Sequence, residues 1–140
     1  YCRRQWSLVD NDALRYMELN DFDKAMIKLI KSQKLLSKKA ENRWMHQDDK
    51  VRIYNTGDVI LAFNFHPFKS FDSYFIPTPK KGNYKVILSS DDGIFGGQDR
   101  IDKEYKYETT ENADKVIGFN CYLPSRTVAV FKKVRENKKR

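Results

Sequence analysis

The stretch that most limits what this chain can become is 58–74, DVILAFNFHPFKSFDSY, its longest apolar run. Val59, Ile60, Leu61, Ala62, Phe63, Asn64 and Phe65 are too few, and too β-branched and aromatic, for a helix of ordinary length. The run stops at Pro67, which cannot donate to a sheet ladder. It predicts a central strand buried on both faces. Just upstream, Val51, Arg52, Ile53 and Tyr54 alternate apolar and polar, and the link Asn55-Thr56-Gly57-Asp58 carries hairpin turn chemistry. The two segments are expected to pair antiparallel. A strand apolar on both faces needs a second layer, so residues beyond Tyr74 are expected to return and cover it.

At 140 residues the chain can bury one core but cannot hold a (β/α)8 barrel, which takes about 250 residues. It begins at Tyr1 without an initiator Met and shows no signal pattern and no membrane-length apolar run, so it is expected to be a piece of something longer. Cys2 and Cys121 lie far apart with no CxxC spacing and no neighbouring His, which predicts free thiols in a reducing, cytoplasmic setting and no metal site. No cofactor is expected.

The net charge of +8 points first to nucleic acid, but its distribution argues otherwise. Nine Lys/Arg stand against three acids from Lys24 to Arg52, and six against one from Lys132 to Arg140, leaving −3 on the rest. Lys24, Lys28, Lys31, Lys34 and Lys38 recur every three or four residues, which places them on one solvated helix face. Neither nucleic acid nor membrane is an expected partner, and residues 135–140 read as a disordered basic tail.

In chain order, Asp10, Asn11 or Asp12 predicts the cap of a first helix running to about Leu19. Asn20 and Asp21 predict a break, and Phe22, Met26, Leu29, Ile30 and Leu36 form the apolar stripe of a second helix ending near 37–39. About eight short strands follow, at 43–47, 51–54, 59–65, 73–76, 84–88, 103–109, 116–122 and 127–134, separated by Pro, Gly, Asn and Asp turns. Helices first and strands afterwards predict a mainly β fold, an antiparallel β-sandwich preceded by two helices.

Four segments in order, RRQWSLVDNDALRYMELNDFDKAMIKL, FNFHPFKSFDSY, GNYKVILSSDDGIFGGQDRID and YLPSRTVAVF, resemble the C-terminal part of 1,4-α-glucan branching enzymes of the eukaryotic type. The resemblance implies an α-amylase-type C-terminal all-β domain at 41–134, with residues 1–40 supplying the last helices of a catalytic (β/α)8 barrel. It implies that barrel and an α-glucan, glycogen or starch, as partners. None of the motifs holding the family's catalytic Asp, Glu and further Asp is present, so no catalytic residue carries over; retaining chemistry needs two carboxyl groups about 5–5.5 Å apart. The stretch 110–118 is shorter than is usual in the family.

Among other candidates, Asp91-Asp92 before Gly93 lacks the alternating acids of a calcium loop and reads as a turn. Gly96-Gly97 has no phosphate-loop frame and reads as a bend. His46, His66 and Asn64 read as hydrogen-bonded structural groups, and Arg126 as a group facing the absent barrel. Sugar rings pack on flat aromatic surfaces, which makes Trp44, Phe68, Phe71 and Tyr74 the candidate glucan contacts, although most aromatics in a small β domain are core. Two other readings stay open: a stand-alone α-glucan-binding module, and a basic nucleic-acid-binding domain, which would be retained on heparin in a steeply salt-dependent way.

The helix stripe yields a prediction. Each apolar side chain left in water forfeits about 1.5–3 kcal/mol against a folding margin of about 5–15 kcal/mol. If its cover is a barrel outside this sequence, amides up to about Ser37 exchange quickly while 59–65 stay protected. Hydrogen exchange with mass spectrometry measures both, and equally slow exchange in a monomer would show that the helix has its partner within the chain.

Overall fold

The computed structural model describes residue 3 and residues 5–136; Cys2 and residues 137–140 of the expected tail lie outside the described residues. The hairpin at the centre forms as the residues dictate. Strand β2 (Val51–Thr56) pairs antiparallel with β3 (Val59–Asn64), Thr56 opposite Val59. Gly57, at φ +60°, takes the first of the two turn positions, where a side chain would be strained.

Seven further strands surround this hairpin: β1 (Glu41–His46), β4 (Phe71–Pro77), β5 (Asn83–Ser89), β6 (Tyr107–Glu108), β7 (Thr110–Glu111), β8 (Ile117–Leu123) and β9 (Thr127–Lys133). They form a six-stranded sheet, β1-β2-β3-β9-β5-β6, and a three-stranded sheet, β4-β8-β7, with every pairing antiparallel. The core between the sheets is built from Ile53, Ile60, Ala62, Ile76, Tyr84, Phe119, Leu123, Ala129 and Phe131, among others. Phe119 stands 5.0 Å from both Tyr107 and Phe131, measured between ring centroids. Cys121 is buried there as a free thiol, and burial pushes its pKa up to about 12.

The two-faced burial of β3 has a specific cause. Ile60 and Ala62 face the other sheet, whereas Val59 and Leu61 face outward and join Leu35, Leu88 and Val130 under α1 (Tyr16–Ser32), the single α-helix among the described residues. Phe22, Ala25, Leu29 and Ile30 of α1 close this second cluster. A register shift in β5 between Val86 and Leu88 lets Val86 enter the inter-sheet core while Leu88 turns to the helix, although the two would share a face in a regular strand.

The structure corrects the two-helix expectation. Asn11 takes the Ala13 N–H on its Oδ1 and the Leu14 N–H on its carbonyl, closing a local turn at the point where a helix cap was expected. Asn20 and Asp21 lie within α1, because a solvated Asn or Asp costs a helix only a few tenths of a kcal/mol and the packed face of Phe22 and Ala25 outweighs it. The helix also ends earlier than expected, at Ser32, with Lys34 left-handed at φ +52°, followed by a 3-10 turn over Leu35–Ser37. That break shifts the apolar phase: Leu35 is 8% exposed and packs on the sheet, whereas the expected Leu36 is 88% exposed. Lys24, Lys28 and Lys31 lie exposed on α1 as expected, whereas Lys34 and Lys38, also exposed, fall beyond its end and off the expected helix face.

The expected strand at 103–109 is reduced to β6. Asp102 caps Glu104 in a turn, and Lys103 turns back to pair with Asp92, so only Tyr107 reaches the core. The helix thus has a partner within the chain.

The phase shift at Lys34 gives opposite expectations for adjacent residues. Leu35→Ala should lower stability by about 2–3 kcal/mol, and Leu36→Ala should change it by less than about 0.5 kcal/mol, read from urea denaturation midpoints.

Candidate functional site

The edge strand β1 carries a bulge between Asn42 and Trp44 opposite β2, which turns Trp44 toward the gap between the sheets. Across that gap Tyr74 projects from β4. The Trp44 Nε1–H donates to the Tyr74 hydroxyl oxygen at 2.9 Å, and the Tyr74 O–H donates to Asp49 Oδ2 at 3.1 Å. Burial pushes the Tyr74 pKa above its ordinary value; the bond from Trp44 opposes this and the Asp49 carboxylate reinforces it, so the phenol keeps the proton it donates. His46 Nδ1 accepts the Asp49 backbone N–H at 3.1 Å and lies 3.1 Å from Asp49 Oδ2. The His46 ring is parallel to Trp44 within 7°, with centroids 6.1 Å apart.

These groups line one side of a cleft of about 500 Å³, with Phe75 and Pro77 of β4. Its far wall is Asn112, Asp114 and Val116, from the tight β7–β8 turn. That turn falls within the stretch 110–118. Asn112 Oδ1 accepts the N–H groups of Asp114 and Val116, which holds the turn's shape.

Of the four aromatic candidates, the structure brings together three. Phe71 packs edge-on against Tyr74, with centroids 4.9 Å apart, and rests on the core with Lys69 Nζ 5.0 Å from its ring centroid. Phe68 stands apart on the 65–70 loop, 88% exposed, with the His66 ring 6.5 Å away between centroids. His46, Asp49, Asn112 and Asp114 were not readable as one site. They come from separate segments of sequence, and no spacing rule links a turn near residue 113 to a strand near residue 44.

The remaining candidates are structural in detail. Asn64 donates from Nδ2 to the carbonyls of Lys69 and Leu123 at 3.0 and 3.2 Å and accepts the His66 N–H at 2.9 Å. His66 Nδ1 then accepts the N–H groups of Phe68 and Lys69 at 3.1 and 2.9 Å. Asp91, 3% exposed, accepts Arg100 Nη2–H and Arg100 N–H, each at 2.8 Å, and the Gln98 N–H at 3.3 Å. Asp92 pairs with Lys103. A Cβ on Gly97 would collide with the backbone carbonyl of Asp91, so the Gly96-Gly97 bend needs glycine for close approach. Arg126, at φ +54°, sits at the β8–β9 turn beside Phe63 and Phe65, lining a second cleft of about 360 Å³. Among the described residues no group of three or more His, Cys, Asp or Glu is placed to hold a metal, and no helix is long and apolar enough to cross a membrane.

The sandwich with its shared core defines the class. Residues 43–134 match the family described as the α-amylase C-terminal all-β domain, and the chain belongs to that family. Over nearly its whole length it is similar to 1,4-alpha-glucan-branching enzymes: 42% identical to that of Yarrowia lipolytica over 94% of this chain, 44% to that of Rhizophagus irregularis over 93%, and 41% to that of Dictyostelium discoideum over 96%. It spans about 20% of the length of each of these relatives.

The Asp91–Arg100 pair sets an acid limit. Burial alone would raise the Asp91 pKa, but the Arg100 side chain, its N–H and the Gln98 N–H outweigh burial and hold it below the ordinary value of 3.8. With the folded pKa depressed, the stabilisation is complete above the ordinary carboxylate range and is lost as pH falls through and below it. Asp91→Asn should cost about 2 kcal/mol or more at neutral pH and flatten this part of the acid dependence, measured as urea midpoints from neutral pH downward.

Proposed function

We propose that this chain is the non-catalytic C-terminal portion of a 1,4-alpha-glucan-branching enzyme. The whole protein would cleave an α-1,4 bond in a linear glucan, hold the chain as a covalent glycosyl intermediate and transfer it to a 6-hydroxyl, making the α-1,6 branches of glycogen or starch. The observation that carries this reading is the extent of the likeness, 34–44% identity to branching enzymes across nearly the whole chain, combined with a domain whose best-buried carboxylates are spent on structure.

On this reading residues 1–40 belong with the catalytic barrel and 41–134 form the β domain that braces it. Supporting this, Tyr16, Leu19 and Ile27 are 49%, 65% and 43% exposed and share one flank of α1, beside the residues that pack on the sheet. Phe65, 60% exposed, and Arg126 extend the exposed surface on the sheet. Arg126 would pair with an acid of the barrel there. The partners are then the barrel and an α-glucan, not nucleic acid or a membrane, and the setting is cytoplasmic, in keeping with the free thiol of Cys121.

The test is the iodine spectrum of amylose. The 140-residue chain alone should leave the long-wavelength band unchanged, and the longer protein that contains it should erode the band progressively. Branching by the purified chain, or none by the longer protein, would overturn the reading.

A further inference from the structure

We infer that the cleft between β1 and β4 is an α-glucan-binding site on this domain, with Trp44 as its platform. The inference rests on the reading above for the identity of the sugar and on the cleft's own chemistry for the rest.

A sugar ring has an apolar C–H face and a rim of hydroxyls, so a site that holds one needs a flat apolar surface flanked by planar polar groups. Trp44 supplies the surface. It is 44% exposed although its only indole donor is already committed to Tyr74, so what it offers to solvent is an apolar ring face. The ring is also immobilised, since Tyr74 is anchored in turn on Asp49 and His46 lies parallel beside the indole. A platform fixed before the ligand arrives loses little side-chain entropy on binding, which matters for a ligand that offers weak contacts.

The opposite wall supplies the rim. Val116, 41% exposed, gives a second apolar contact, and Asn112 and Asp114 stand beside it with amide and carboxylate groups suited to hydroxyls. The cleft volume of about 500 Å³ falls within the ~300–1,000 Å³ typical of small-molecule sites.

Charge selects the ligand class. Arg43 is engaged by Asn55 Oδ1 and by Glu41 Oε2, and Asp49 accepts the Tyr74 O–H. With Asp114 on the far wall and Arg43 on the near one, neither sign dominates, so the cleft does not favour a phosphate or a polyanion. A neutral polyhydroxylated chain fits these groups.

The test follows the Trp44 indole N–H in 15N spectra of the chain during titration with maltoheptaose. Only two tryptophans are present, and Trp44→Phe assigns the resonance. The Trp44 signal should move saturably, and amides of Ser73, Tyr74 and Phe75 should move with it. Trp44→Ala should weaken binding at least about tenfold, or about 1.4 kcal/mol. Val116→Arg fills the cleft from a surface position without touching the Trp44–Tyr74–Asp49 chain, and should weaken binding as much while the rest of the spectrum stays in place. An unmoved Trp44 signal at saturating sugar overturns the proposal, as does unchanged binding in both variants. If the longer protein branches amylose while Trp44 is silent, the cleft falls and the family reading stands. If Trp44 responds while the longer protein does not branch, the reverse holds.

Discussion

Burial of β3 on both faces is the constraint on which the rest depends. Ile60 and Ala62 make one side of the strand part of the inter-sheet core, and Val59 and Leu61 make the other side part of the floor under α1. One six-residue strand therefore joins two apolar clusters that would otherwise be separate, and β2 and β9 flank it through unbroken antiparallel ladders. Because an uncovered apolar sheet face is costly in water, the helix is a required third layer over this part of the sheet.

The loops are held to the same frame by polar groups used locally. Asp91 gathers Gln98 and Arg100 and so folds the 91–100 segment back on itself, and this sets Phe95 where Phe22 of α1 meets it edge-on at 5.2 Å. Arg15 Nε donates to Glu18 at 3.0 Å and its Nη2 reaches the Gly96 carbonyl at 3.5 Å, so the start of the helix is tied to the same loop. At the opposite end, Asn64 and His66 satisfy the backbone of the 65–70 loop, which leaves Phe68 displayed on a supported turn. In each case a buried or half-buried polar group is acceptable because its hydrogen-bonding capacity is met.

The cleft beside Trp44 arises where the sandwich is unequal. A sheet of six strands facing one of three leaves the edge strand β1 only partly covered. The bulge in β1 then aims an aromatic side chain into the uncovered margin, and Tyr74 reaches across from β4 to fix it. An aromatic residue is thereby held half-exposed at the surface.

Local pattern in the sequence was enough for the hairpin, the succession of short strands and the solvated lysines of α1, because alternation, turn residues and helical spacing act over a few neighbours. The four motifs were enough for the family, since ordered motifs survive without any knowledge of the contacts they make. Tertiary structure decided what depends on distant partners. Whether Asn20 and Asp21 break a helix was settled by the sheet beneath Phe22 and Ala25; whether Leu35 or Leu36 is buried, by a left-handed Lys34; and which face Leu88 takes, by a bulge against β9. The candidate site is the extreme case: Trp44, Tyr74 and Val116 meet only because two sheets stack, and nothing in the spacing of those residues along the chain records that they will.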